Sequence, residues 1–135
     1  CSSDLFDLCE AMDIAFVAYS PLGNGFLSGR FTRDSTYEEG DFRSFMGRFR
    51  PDVMQRNQAL LDLIRDTSHK RGATPAQLVL AWELARRPFI IPIPGTTSLR
   101  RLEENLGAAS IELGDEELKA LNAALEHVAV DETYF

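Results

Sequence analysis

The apolar positions along this chain change period several times, and each change marks an element. Leu5, Leu8, Cys9 and Met12 recur at helical spacing behind Ser2 and Ser3, either of which can cap a first helix. Ile14 to Tyr19 follows as an almost unbroken apolar run, which predicts a parallel strand covered on both faces. Ser20-Pro21-Leu22-Gly23-Asn24-Gly25 holds two glycines and a proline, so it reads as a loop. From Arg30 to Arg50 charges and aromatics mix without a steady period; an irregular stretch of that length in a compact domain is functional or mobile. Pro51 suits the first turn of a helix that carries Val53, Leu60, Leu61 and Ile64 and ends near Arg71-Gly72.

Thr74-Pro75-Ala76-Gln77 is a helix start with a hydroxyl cap, a first-turn proline and a Gln three residues after the cap. Leu78, Val79, Leu80, Ala81, Trp82, Leu84 and Ala85 make that helix apolar nearly all round, which predicts burial between neighbours. Phe89 to Ile93 is a second buried strand, although Pro92 inside it should cost a central strand one ladder bond. Gly95 ends the strand, and Thr96, Thr97 and Ser98 place hydroxyls where the next helix begins. Along that helix Leu99, Leu102, Leu106 and Ala109 form one apolar face, expected to look inward. Leu118, Leu121, Leu125 and Val128 mark a last amphipathic helix behind Gly114. Alternating helices and continuous apolar strands predict an α/β fold with a parallel sheet and crossover connections.

The stretch from Phe89 to Ala109 carries the one candidate site that spacing alone marks. A strand, a glycine turn and a hydroxyl-rich helix start build an anion site, because the first N–H groups of a helix lack internal partners and its dipole adds positive potential. Arg101 lies within one turn of that start, so a phosphate monoester there could take the backbone donors and a guanidinium fork together.

Composition narrows the classes. The chain has 135 residues, 44% hydrophobic and 26% charged, which is one domain's worth of globular sequence. A net charge of −7 argues against a general nucleic-acid or membrane-surface binder. Cys1 and Cys9 form no metal or redox spacing, which predicts a reduced, cytoplasmic setting, and no signal peptide or membrane-length apolar run is present. The chain opens without Met, directly into a helix, and is expected to be a piece of a longer polypeptide.

The segment I-P-I-P-G-T-T-x-x-x-R-x-x-E-N, from Ile91 to Asn105, closely resembles the C-terminal cofactor segment of the aldo-keto reductases. These are NADP(H)-dependent oxidoreductases built as (β/α)8 barrels. Tyr19-Ser20-Pro21-Leu22-Gly23-Asn24-Gly25-Phe26-Leu27-Ser28-Gly29 looks like the family's other cofactor segment, in the right order and at about the right distance. The resemblance covers nearly the whole chain and is nearest to bacterial and plant members with I-P-G-T rather than I-P-K-S. It implies that residues 1–135 form the C-terminal part of a single TIM-barrel domain, about the last two strands with their helices. A complete barrel takes about 250 residues.

By the same resemblance, Ser20, Leu22 and Asn24 line the pyrophosphate and ribose, with Pro21, Gly23 and Gly25 completing the segment and Tyr19 stacking on the nicotinamide. Gly95, Thr96 and Thr97 form the anion-binding turn. Arg101 holds the adenosine 2′-phosphate, and Glu104 with Asn105 holds the adenine. Read without the resemblance, Glu104 would pair with Arg100 along the helix and Asn105 would be a solvated amide. Arg30 and the Phe42-Arg43 pair clamp the cofactor from the long excursion. Gly95 departs from members that carry a Lys there, and Gly114 from the usual Ser or Thr cap. His69 and His127 match no catalytic position. The Tyr, Lys, Asp and His that move protons in complete enzymes belong to the first half of the barrel, outside this chain.

The implied activity is reduction of small-molecule aldehydes or ketones by the intact parent, with the remainder of the barrel as this piece's partner. A non-catalytic NADP-binding regulatory subunit, like the β-subunits of potassium channels, is the alternative, and an inert structural fragment the third reading. The tail from Asp131 to Phe135 offers aromatics for a lid.

Overall fold

The computed structural model describes residues 3–133; Cys1, Ser2, the Ser3 side chain, Tyr134 and Phe135 lie outside the described residues, and with them the first cap and the aromatic end of the tail. Helix α1 (Ser3–Ala11) leads into strand β1 (Phe16–Tyr19). The excursion follows, with 3₁₀ turns at Gly23–Ser28, Phe42–Phe45 and Gly47–Phe49. Helices α2 (Pro51–Arg56), α3 (Gln58–Lys70) and α4 (Pro75–Arg86) then return the chain to strand β2 (Ile90–Ile93). Helix α5 (Leu99–Gly107), a 3₁₀ turn (Ala108–Ser110) and helix α6 (Asp115–Glu126) complete the order.

β1 and β2 are parallel neighbours, with Phe16 opposite Ile90, Ala18 opposite Pro92 and Tyr19 opposite Ile93. In a two-stranded sheet each strand keeps an open edge, where a residue without an N–H is tolerated; Pro92 therefore fits. Their composition predicts strands covered on both faces, and the fold corrects this: only one face is covered. Ile90 is buried, and Phe16 meets Phe6 of α1 edge-on at 5.1 Å. The alternate residues Val17, Tyr19, Ile91 and Ile93 face outward, exposed. Side chains alternate across a strand, so a sheet layered on one side buries only every second residue.

Helix α4 is the hub. Thr74 accepts from the Gln77 backbone N–H at 3.2 Å while the Gln77 side chain accepts from the Thr74 N–H at 3.1 Å, which is the capping box the sequence predicts. Ala76, Leu78, Val79, Leu80 and Ala81 are buried; Leu84, on the remaining side, is partly open. Leu60, Ile64, Leu78 and Val79 form one core cluster, and Phe26, Met46, Phe49 and Met54 form another. Leu27 packs against both. Burying a side chain such as Leu78 stabilises by about 1.5–3 kcal/mol.

The excursion is less irregular than its sequence. Phe31, Tyr37 and Phe49 form an aromatic cluster with centroids 5.5 to 5.9 Å apart. Short 3₁₀ turns and ring contacts have no helical or strand period, which is why the pattern did not announce them.

Three helix expectations need correction. The predicted single helix from Pro51 is broken at Asn57, whose buried side-chain amide donates to the Asp131 carbonyl at 3.0 Å and accepts from its N–H at 2.8 Å. On α1, Cys9 is buried but Leu5, Leu8 and Met12 are exposed, and Phe6 makes the sheet contact instead. On α5, Leu99 and Leu106 are 71% and 66% exposed, and Leu102 and Ala109 also face outward. This helix approaches α4 through Gly107 and the buried Ala108, small residues that let two backbones come close, so its leucine stripe points the other way.

Candidate functional site

The loop after β1 is wound by four left-handed residues in six: Ser20 (φ 50°), Gly23 (56°), Asn24 (60°) and Gly25 (93°). The Gly23 N–H donates to Ser20 at 2.8 Å and the Gly25 N–H to Leu22 at 3.0 Å, so the loop folds on itself. Arg48 packs directly against Gly23, where a Cβ would collide with its guanidinium. Non-glycine residues in this backbone region store strain that the surrounding structure must hold, a pattern concentrated at ligand sites.

The chain after β2 is laid beside that loop. The Thr96 hydroxyl accepts from the Ser98 N–H at 3.2 Å, and Ser98 stands at the cap of α5 with no side-chain bond of its own. The first N–H groups of α5 therefore have no side-chain cap, and their donors and dipole are directed at whatever lies before the helix.

Between these segments runs a groove of about 730 Å³, within the range of small-molecule and cofactor sites. Its walls carry Tyr19, Ser20, Pro21, Leu22, Asn24 and Gly25 from the first segment. Gly95, Thr96, Arg101, Glu104 and Asn105 come from the second, and Arg30 and Arg43 from the excursion. Two of the residues singled out in the sequence do not reach it. Gly23 lies buried beneath the loop against Arg48, and Thr97 is absent from the lining.

Ser28, Ile93, Pro94 and Arg100, from within the two matched segments, also line the groove, whereas Phe31, Asp41, Thr74, Pro75 and Ala76 lie outside those segments and were not legible as lining. Thr74 to Ala76 carry only the signature of a helix start, and nothing in the sequence says that this start borders a groove. Asp41 was hidden in an acidic stretch.

The charges decide what the groove can hold. Four arginines (Arg30, Arg43, Arg100 and Arg101) face two carboxylates (Asp41 and Glu104), in a chain whose net charge is −7. Arg43 is already engaged: its Nη2 lies 2.6 Å from Asp41 Oδ2, its Nε 2.9 Å from Oδ1, and its guanidinium sits 4.6 Å above the Phe31 ring. That side-chain pairing holds the Asp41 carboxyl below the usual carboxylate range. Arg30 also lies over Phe31, at 5.3 Å. Among the described residues Arg100 and Arg101 have no ion-pair or hydrogen-bond partner, and Glu104 does not pair with Arg100. A groove with two uncommitted guanidiniums and an uncapped helix start suits a polyanion.

His69 and His127 are exposed and do not line the groove. No group of three or more His, Cys, Asp or Glu that could hold a metal occurs among the described residues, and no helix among them is long and apolar enough to cross a membrane.

Comparison with known proteins gives this groove a context. Residues 2–126 match the model of the aldo/keto reductase family. The chain is 38% identical over 122 residues to the aldo-keto reductase str7 of Strobilurus tenacellus, and equally to the aldo-keto reductase yakc [NADP(+)] of Schizosaccharomyces pombe. In each case the match takes 90% of this chain but only 36% of the relative, so the chain spans about a third of the length of these proteins. Among solved structures, the glycerol dehydrogenase AKR11B4 of Gluconobacter oxydans superposes with a TM-score of 0.75 at 25% identity, over 94% of this chain and 39% of that one. The thermostable aldo-keto reductase Tm1743, solved with the inhibitor epalrestat, gives 0.55 at 28% identity, over 89% and 33%. The two-stranded, helix-rich fold is thus similar to part of a larger barrel. With a family match over nearly its whole length, this chain belongs to the aldo/keto reductase family.

Proposed function

We propose that the groove is the NADP(H) site of a carbonyl-reducing aldo-keto reductase, and that this chain forms the last two strands and their helices in one barrel domain of a cytoplasmic enzyme. The observation that carries the proposal is convergence: loops leaving two adjacent parallel strands meet in one groove, at the end where α5 begins and where Arg101 stands without a partner. Ligands of parallel α/β sheets bind at the carboxyl ends of the strands, where helix N-termini point. The relative yakc carries NADP(+) in its name, which supports the choice of dinucleotide.

In this reading Arg101 and the first N–H groups of α5 take the 2′-phosphate. Glu104 and Asn105 hold the adenine, Ser20, Leu22 and Asn24 border the pyrophosphate and ribose, and the exposed Tyr19 ring stacks on the nicotinamide. When bound, NADPH supplies the hydride; the proton for the nascent alkoxide must come from an acid positioned beside the carbonyl. In this reading the Tyr19 phenol ring is used for stacking on the nicotinamide, and the groove's carboxylates lie in an ion pair and on the proposed adenine side. The proton chemistry therefore belongs to residues of the parent outside this chain, together with most of the pocket for a small aldehyde or ketone.

Two measurements test this. The full-length protein should bind NADP⁺ more tightly than NAD⁺ in an equilibrium titration; equal affinity, or none, would sink the assignment. The purified 135-residue chain should not oxidise NADPH with an aldehyde above the blank rate, and measurable turnover would place an acid within it after all.

A further inference from the structure

Gln77 does not itself line the groove, yet its side chain joins two residues that do. Its Oε1 accepts from the Thr74 N–H at 3.1 Å, closing the cap of α4. Its Nε2 donates to the backbone carbonyl of Glu104 at 3.0 Å. That carbonyl belongs to the last turn of α5, where carbonyls have no partner within the helix. One amide therefore satisfies an orphan donor at the start of one helix and an orphan acceptor near the end of the next. The partners fix its orientation, since a carbonyl can only accept and an N–H only donate. Gly107 makes room: a Cβ there would stand 2.7 Å from Gln77 Nε2, although its backbone (φ −59°, ψ −21°) is ordinary helix.

We propose that Gln77 is the positioning residue of the cofactor site. It locks α5, and with it Arg101, Glu104 and Asn105, against the Thr74–Ala76 wall of the groove. The inference rests on the cofactor reading above and adds a residue outside the groove that sets the site's geometry. An amide at this one place does what neither an apolar residue nor a carboxylate can: it accepts on one side and donates on the other.

Two variants separate this role from folding. Gln77→Glu keeps an acceptor for the Thr74 N–H, so the capping box survives, but it cannot donate to the Glu104 carbonyl. Gly107→Ala adds no charge and suits a helical backbone better than Gly, but its Cβ displaces the Gln77 amide. In the full-length protein both should weaken NADP⁺ binding about three- to tenfold, the range expected for one lost hydrogen bond. KM for NADPH should rise while kcat holds, and the thermal midpoint of Gly107→Ala should not fall. Unchanged affinity in both variants, with the unmutated protein binding normally, overturns the positioning role alone. Weakening by Gln77→Glu without weakening by Gly107→Ala overturns it too, because the cause would then be added charge. Failure of the unmutated protein to bind NADP⁺ overturns the cofactor reading and this inference with it.

Discussion

Arg101→Ala in the full-length protein isolates one interaction. The side chain leaves the first turn of α5, is half-buried, lines the groove and has no partner among the described residues. Deleting it orphans no carboxylate, so stability should stay within about 0.5 kcal/mol, as for an ordinary surface change. A charge-assisted hydrogen bond to a phosphate is worth about 1.5–3 kcal/mol. NADPH binding should therefore weaken by a factor of about 10 to 150. NADH lacks the 2′-phosphate, and its affinity should be nearly unchanged. Arg100→Ala is the control: its guanidinium is more exposed and should cost only a few-fold. Raising salt toward 1 M, where the screening length is about 3 Å, should reproduce part of the Arg101 effect in the unmutated protein. Equilibrium titration by nucleotide fluorescence reads all of these. Equal losses for NADPH and NADH would refute the reasoning, because Arg101 would then be holding the helix rather than reading the phosphate.

Three further outcomes are expected. Burial lifts the Glu83 carboxyl from 4.5 to about 7, and its Oε2 has no hydrogen-bond partner. The folded chain holds that proton where the unfolded chain has lost it, so stability should fall as pH rises from 4.5 to about 7. Glu83→Gln should flatten that slope and raise stability at pH 8 by about 1–2 kcal/mol, after discounting for partial exposure; denaturant midpoints unchanged across the window would contradict it. Asn57→Ala leaves both backbone groups of Asp131 unpaired and should cost about 2–3 kcal/mol, with faster proteolysis near Asp131; unaltered cleavage would show that the tail is held otherwise. Gly95→Lys places an ammonium on the groove where nothing stands within 4 Å of the new Cβ, and NADP⁺ should bind about two- to fivefold more tightly; a loss of affinity would put the 2′-phosphate elsewhere.

Local chemistry was enough to reveal the repeating parts of this protein. The two strands, the Thr74–Gln77 capping box and the glycine loop after β1 follow from apolar runs, a hydroxyl three residues before a Gln, and residues that accept left-handed backbone. Thirteen of the fifteen residues picked out for the cofactor line one groove, and the eleven of them outside the excursion do so because both segments sit at the ends of adjacent parallel strands. Only tertiary structure could decide the rest. Period says that α5 has an apolar face but not which side meets α4; contact through Gly107 and Ala108 turned the leucines outward. Asn57 breaks a helix for a residue 74 positions away, and Gln77 reaches from α4 to a carbonyl of α5 27 residues on. Arg43 lines the groove with its guanidinium paired to Asp41, two residues before it, by a side-chain geometry that no spacing rule encodes. Periodicity records what each element prefers to bury, whereas pairing across the chain depends on which elements arrive beside it, and that is fixed only when the whole packs.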